Sequence, residues 1–554
     1  MEPQKTKIQV EKASVRPMTR QHGTITLLPA EKLLRELLLN CREHMQKSQI
    51  ASAFGLEMWI TGGWVRDRLL GIPCSDIDIA LSTITGEQFS HSLTEFFEQN
   101  KEQYQQRAAE LGVQDTRLTG FHTTKKNLGK SKKLETTIGR VFGLDLDLLN
   151  LRKEVYEDNS RTPEMEFGTA EEDAFRRDAT VNTLFFNLDK QEVVDLTKKG
   201  LDDMAAGIIR TPLEPRQTFT DDPLRVLRLI RIGSKLGYTV DEETKKWMKD
   251  QDIHTALDGK VSRERIGIEV FKIMKQPNPQ VAFHLLFEAN LYTLVFLRSE
   301  PSLRQALLNK LPAQDPGQPW PSTWPRAYQT LAMLIDNNVS GLGRMVQSEE
   351  RVENLWVMAA YAPIAELRHD MLKKVVDEAT DAVKATSKIS KLLESSLRNM
   401  DSINATVALA SDPERPAARS TVGMAIRAWG STWRLQVVYS LLAALVYETS
   451  STSSLLPSLS TDDDPVLRKL LLRYNTFIDF VMQRGLEKAD LLRPMFDGNA
   501  IMQVFGVHKG GSFLKTAIDE LVAWQFDHEG LGAEEARKWL YQQRDMLGIP
   551  PGSV

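Results

Sequence analysis

Residues 61–81 read TGGWVRDRLLGIPCSDIDIAL and follow directly on the strand-like run MWI. In SDIDIAL, successive side chains alternate between the two faces of a strand. Asp76 and Asp78 then share one face, while Ile77, Ile79 and Leu81 point into a core. Carboxylates this close repel each other unless a cation lies between them. A hard cation such as Mg2+ takes one or two carboxylates and completes its shell with substrate phosphates. Alone, a D-x-D pair also describes a solvated strand face. The upstream residues change that balance. Gly62 and Gly63 let backbone approach a phosphate closely. Amides at the start of the next helix suit an anion, and Arg66, one turn on, can clamp phosphate oxygens. Together they form an arrangement for a nucleoside triphosphate and its metal, with Asp76 and Asp78 as catalytic metal ligands.

Working outward, residues 29–54 have helical periodicity. Strand-like runs EMWITGG, SDIDIAL, FGLDLDLLNLR, NTLFFNL and EVVDL lie among helical stretches, which predicts an α/β or α+β domain. Beyond about residue 202 the strand signals fade, and amphipathic patterns such as DPLRVLRLIRIGSKLG predict a mostly α remainder. LQVVYSLLAALVY, 435–447, is too short to span a membrane and reads as a core helix. The proline-rich stretch 312–325 and the segment 449–465 read as loops, the latter flexible.

With 554 residues the chain should hold several domains. Its net charge of −4 excludes a globally basic nucleic-acid binder, though not a local basic groove. Two cysteines, Cys41 and Cys74, exclude a disulfide framework and imply an intracellular compartment. The first 20 residues lack the apolar core of a secretory signal. Cytoplasm and nucleus are the expected compartments. The mitochondrion is a further candidate, because Lys5, Lys7, Lys12, Arg16 and Arg20 precede or flank a second methionine, Met18.

GGWVRDRLLG…DIDIA closely resembles the head motif of the class II tRNA nucleotidyltransferases, the CCA-adding enzymes, and of bacterial poly(A) polymerases. Later motifs continue the resemblance in order. GLDLDLLNLR (143–152) is a second alternating strand, and the comparison makes Asp147 a candidate third carboxylate. EEDAFRRDATVNTLFF (171–186) resembles the family's R-R-D segment, which implies that Arg177 contacts triphosphate oxygens and Asp178 a ribose hydroxyl. DLTKKGLDDM (195–204) resembles the head–neck hinge, but Lys199 stands where a first glycine is usual and only Gly200 remains.

TFTDDPLRVLRLIRIGSKLGY (218–238) resembles the neck motif that recognises the incoming base. Asp221 replaces the usual Glu, while Asp222 and Arg225 match. Arg225, Arg228 and Arg231 recur every three residues as a basic stripe, with Leu224, Leu227 and Ile230 on another face. The chemistry of such a pair follows from hydrogen bonding. Cytosine and adenine both present an amino donor beside an unprotonated ring nitrogen, which a carboxylate and a guanidinium match. Uracil and guanine place a carbonyl against the carboxylate and leave polar groups unpaired. In SRERIGIEVFKIM (262–274), Arg263 and Glu264 are expected to form supporting ion pairs.

The basic loop containing Lys125, Lys126, Lys130, Lys132 and Lys133 resembles a mobile loop that assists the switch from C to A addition. LRPMFDGNAIMQVFGVHKGGSFLKTAIDELVAWQ (492–525) resembles the family's tail, and Gly510, Gly511, Lys509 and Lys515 are candidates for a tRNA phosphate. Arg368-His369-Asp370 carries a His-Asp pair without further metal ligands and is set aside.

The expectation is an α+β protein: a polymerase-β-like nucleotidyltransferase head with a mostly α-helical neck, body and tail. The predicted domains are an N-terminal extension (1–28), a catalytic head (29–200), a neck (201–290) and a helical body and tail that binds tRNA (291–554). Length and local motifs are most similar to the fungal form. The resemblance implies addition of C, C and A to tRNA from CTP and ATP with Mg2+. No membrane and no protein partner is evident. The rivals are poly(A) addition, addition of C or A alone, and a catalytically silent RNA-binding protein.

Overall fold

The computed structural model describes residues 24–124, 136–155, 164–297, 322–336, 338–415, 417–448 and 464–547, with single positions near 303–309 and at 549. Most of the N-terminal extension, the five lysines of the basic loop, most of 312–325 and nearly all of 449–465 lie outside the described residues.

Leu33, Leu34, Leu37, Leu38, Cys41 and Met45 recur at helical spacing, and all are buried along α1 (Pro29–Lys47). β1 (Met58–Thr61) is buried on both faces. It ends at Gly62, whose φ of +72° turns the chain directly into α2 (Gly63–Leu69). β2 (Asp76–Leu81) shows the predicted alternation, with Ile77, Ile79 and Leu81 buried and Asp76 exposed. Helices α3 (Gly86–Gln99) and α4 (Lys101–Leu111) follow, then β3 (Leu118–Thr124), β4 (Thr136–Val141) and β5 (Leu144–Asn150). β6 (Arg152–Val155) and β7 (Glu164–Phe167) form a separate ribbon. α5 (Ala170–Phe175), β8 (Leu184–Asn187) and β9 (Glu192–Asp195) complete the head.

The sheet runs β3-β4-β5-β2-β1-β8-β9. β2 and β5 are parallel, and every other neighbouring pair is antiparallel. A mixed sheet with helices is the expected α+β head. The parallel pair matters most, because its register sets Asp76 opposite Asp145 and Asp78 opposite Asp147.

α6 (Gly200–Ala206) leads into the neck. Gly200 is required by packing: a Cβ there would meet the Thr180 carbonyl oxygen and Leu184 Cδ2 at 2.8 Å. The short strands β10 (Ile208–Ile209) and β11 (Thr239–Val240) pair in parallel and bracket α7 (Pro215–Asp221) and α8 (Arg225–Leu236). The DDP segment therefore joins two helices. Asp222 is extended (φ −140°, ψ 98°), as a residue before proline prefers. α9 (Glu242–Met248), α10 (Gln251–Lys260) and α11 (Arg263–Met274) follow.

The chain divides into two compact units, one ending at Glu269 and the other beginning at Val270, so the expected neck of 201–290 spans the division. All described elements of the second unit are helices. One part of its core is aromatic, with Phe283, Tyr292, Phe296, Trp324 and Tyr361 packed ring on ring. The helix Trp433–Tyr447 is buried on nearly every side, as its unbroken apolar sequence predicts. Near the C-terminus, Ile501, Phe505, Leu521, Trp524 and Leu540 build a smaller core from three helices. No described helix is long and apolar enough to cross a membrane.

Candidate active site

The strand alternation that buries Ile77 and Ile79 leaves Asp76 and Asp78 on the opposite face, and the parallel register adds Asp145 and Asp147 beside them. The carboxylates of Asp76, Asp78 and Asp147 have no hydrogen-bond or ion-pair partner among the described residues. Burial pushes the Asp78 carboxyl up to about 6. Arg177 opposes this shift, while Asp147, Asp76 and Asp173 add to it. Asp147 is raised by burial and by Asp76 and Asp145. A cluster of oxygen donors whose own charges disfavour ionisation fits a hard divalent cation, which would relieve that repulsion. Among the described residues no three His, Cys, Asp or Glu side chains converge as a complete metal cage.

Gly62 lies against this face. A Cβ there would stand 3.4 Å from Asp78 Oδ2 and 3.2 Å from Arg177 Nη1. Arg177 packs its guanidinium over the Phe185 ring at 5.0 Å. It donates to Asp173 and to the Asn182 carbonyl oxygen. Asp173 is buried and also pairs with Arg176. It lies three and four residues ahead of the two arginines on α5, a spacing that local reading could have used.

Several residues expected to touch ligand have partners within the protein. Arg66 is 5% exposed. Its Nε donates to Asp67, and its Nη1 donates to the Asn182 side chain. Asp178 accepts from Asn182 at 3.1 Å and from Arg228 at 2.7 Å, and these partners hold its carboxyl well below the usual range despite full burial. Arg231 donates to Glu269 at 2.6 Å. Arg225 donates to the backbone carbonyls of Arg176 and Thr218. Asp222 accepts from Arg265 at 2.8 Å. In α11, Arg263 pairs with Asp258 as expected, whereas Glu264 is exposed and Arg265 and Glu269 make the bracing contacts. Glu269, Arg265 and Lys235 carry no local signal of a role at the site, and only the fold brings them in.

The contacts form a chain from the carboxylate face to the neck helix. Asp78 adjoins Gly62, Gly62 adjoins Arg177, and Arg225 bonds the neighbouring Arg176 backbone, so the Asp222–Arg225 pair lies close to the carboxylate face. The basic stripe exists as predicted: Arg225, Arg228 and Arg231 are half-buried on α8, with Leu224, Leu227 and Ile230 buried beside them.

In the second unit, a cleft of about 530 Å³ is lined by Lys509, Gly510, Gly511, Ser512, Phe513, Thr516 and Leu547. It includes part of the tail segment named above and opens at the start of the helix Phe513–Asp527. Arg368 is tied to Glu366 and Asp401 on its own helical scaffold.

Comparison with known proteins matches residues 58–210 to the poly A polymerase head domain. Residues 237–307 match a probable RNA and SrmB-binding site of polymerase A. The nucleotidyltransferase lcsQ of Purpureocillium lilacinum is 36% identical, over 98% of this chain and 96% of its own. The mitochondrial CCA tRNA nucleotidyltransferase of Saccharomyces cerevisiae is 32% identical, over 91% of each chain. The tRNA nucleotidyltransferase cca2 of Schizosaccharomyces pombe is 30% identical, over 94% of this chain and 99% of its own. Among solved structures, a CCA-adding enzyme in an apo form superimposes with a TM-score of 0.57 at 16% identity, covering 92% of this chain and 96% of its own. Full-length similarity at this level, on a head whose carboxylates, glycine turn and neck helix adjoin one another, makes this chain a member of the CCA tRNA nucleotidyltransferase family.

Proposed function

We propose that this protein adds C, C and A to the 3′ end of tRNA from CTP and ATP, without a nucleic-acid template and with release of pyrophosphate. The observation that carries the reading is the adjacency of the Asp76–Asp78–Asp147 face to Asp222 and Arg225 through Gly62, Arg177 and Arg176. One element supplies the reaction and the next supplies the choice of base.

Family membership implies a divalent metal ion, and we assign it as Mg2+ at Asp76 and Asp78. Bound there, it supplies a lower pKa for the attacking hydroxyl and charge neutralisation for the departing pyrophosphate. The 3′-hydroxyl oxygen of tRNA forms a bond to the α-phosphorus as the bond to the pyrophosphate oxygen breaks. Gly62 and Gly63 bring backbone against the triphosphate, and Arg177 faces its charge. Asp147 orients the acceptor side of the carboxylate face. Asp222 accepts from the amino group of cytosine or adenine, and Arg225 donates to the adjacent ring nitrogen. Arg66, Asp178, Arg228 and Arg231 act behind these groups, where their ion pairs hold the turn and the neck helix in place. Positioning and charge stabilisation supply most of the rate.

Some relatives carry "mitochondrial" in their names. We place the activity in that organelle and also in the cytoplasm and nucleus.

Incubation with tRNA ending at the discriminator base and with each nucleotide in turn tests this reading. Two C additions followed by one A are expected. Long A tails, or no C incorporation, point to the poly(A) rival. An Asp76→Ala variant with undiminished incorporation overturns the assignment of the carboxylates.

A further inference from the structure

α2 and α8 are joined through buried carboxylates at two separate places. At one, Asp67, 4% exposed, accepts from Arg66 at 2.7 Å and from Lys235 at 3.0 Å. At the other, Asn182 accepts from Arg66 through its side-chain oxygen and donates to Asp178, which accepts from Arg228. The resulting path is Lys235–Asp67–Arg66–Asn182–Asp178–Arg228. It leaves α8 at one residue and returns to it at another, so the helix backbone closes the ring.

The geometry has a mechanical consequence. Arg228 and Lys235 are two turns apart on α8, about 10 Å along its axis. A helix gripped at one point can pivot and roll. Arg225, Arg228 and Arg231 are each held within the first two turns of α8, and the Lys235–Asp67 pair adds a grip two turns beyond Arg228, so the far end of the helix cannot swing without breaking an ion pair on a buried carboxylate. Arg225 lies one turn before Arg228 on the same stripe, so the roll of α8 sets where its guanidinium points. The support is itself held: Glu31 of α1, 2% exposed, accepts from Trp64 and pairs with Arg68 on either side of Asp67. Neutral side chains would fill the same space without fixing a direction. A carboxylate shared between a guanidinium and an ammonium fixes the direction of both.

We infer that Asp67 and Lys235 are positioning residues for nucleotide selection: their ion pair locks the roll of the neck helix, and with it the match of the base-reading pair to cytosine and adenine. The inference rests on Asp222 and Arg225 reading the base. The lock does not touch nucleotide. Its loss therefore raises errors more than it lowers turnover.

The test measures kcat and KM for CTP, ATP, UTP and GTP on tRNA ending at the discriminator base and on tRNA ending in CC. It compares Lys235→Met, Lys235→Gln, Lys235→Arg and Asp222→Ala in the full chain. Lys235 is partly exposed, and Met keeps its length, so folding should survive; a thermal melt checks this. The expected result is that Lys235→Met and Lys235→Gln raise UTP and GTP use relative to CTP and ATP by about tenfold. Lys235→Arg, which keeps the charge and the donor, restores discrimination. If discrimination is unchanged in both neutral variants while Asp222→Ala relaxes it, base reading stands and the lock is refuted. If Asp222→Ala is also without effect, the base-reading assignment fails and the lock with it. Equal loss toward all four nucleotides, or no rescue by Lys235→Arg, also overturns the inference, because it marks a purely structural contact.

Discussion

The carboxylate face of the head and the arginine stripe of the neck are both rows of like charge on a regular element, yet they are built in opposite ways. Asp76, Asp78 and Asp147 have no partner at their carboxylates among the described residues, and burial and mutual repulsion raise Asp78 to about 6. On α8, Arg228 and Arg231 are paired with Asp178 and Glu269, and Arg225 is bonded to two carbonyls. Unrelieved charge marks a surface waiting for a counter-charge from outside the chain. The paired charges of Arg228 and Arg231 mark a frame, which carries Arg225. In the proposed mechanism the first region does the chemistry and the second aims it.

The sharpest way to break this comparison is to remove charge from the waiting surface. Asp78→Asn should reduce single-turnover incorporation by about a thousandfold or more, because the cation loses a ligand. It should leave folding intact by circular dichroism. A modest loss would mean that the face is not where the reaction occurs.

Asp222→Ala probes the boundary between the regions. Discrimination against UTP and GTP should relax by about ten- to a hundredfold, with a smaller loss of CTP and ATP use. Unchanged selectivity in competition assays would confine Asp222 to bracing Arg265.

Removing charge from the frame should act on stability instead. Asp178→Ala removes the main counter-charge of the half-buried Arg228 and the hydrogen bond it makes, and should cost about 2 kcal/mol in chemical denaturation. A neutral result would show that the stripe is not held by its ion pairs.

The smallest effect is on pH dependence, and it has opposite signs in the two regions. Asp78 has a raised folded pKa, so its contribution to stability is present below the ordinary carboxylate range and is lost as pH rises through about 6. Asp178 has a depressed folded pKa, so its contribution is present above that range and is lost only as pH falls below it. Without metal, the protein should lose up to about 2 kcal/mol relative to Asp78→Asn between about pH 4 and 6. Saturating divalent cation should abolish the difference. A flat difference across that window would show that Asp78 ionises normally.

Much of this was legible from local pattern. Period-two alternation put Asp76 and Asp78 on one face, and period-three spacing put Arg225, Arg228 and Arg231 on one stripe; both are properties of an isolated strand or helix. Gly200 illustrates the limit. The sequence shows it only as the remaining glycine of a hinge-like segment, whereas the structure gives packing against Thr180 and Leu184 as a reason a glycine stands there.

The sequence alone determined which chemistry was available: oxygen ligands on a strand, a glycine turn before a helix, a carboxylate and a guanidinium set for cytosine and adenine. Only the tertiary structure decided which of those charges have partners within the protein. Pairs such as Arg228 with Asp178, fifty positions apart, and Lys235 with Asp67, 168 apart, carry no local signal. The physical reason is that periodicity is set by backbone geometry within a few residues, whereas a charge's partner is set by which elements pack together and exclude water around it.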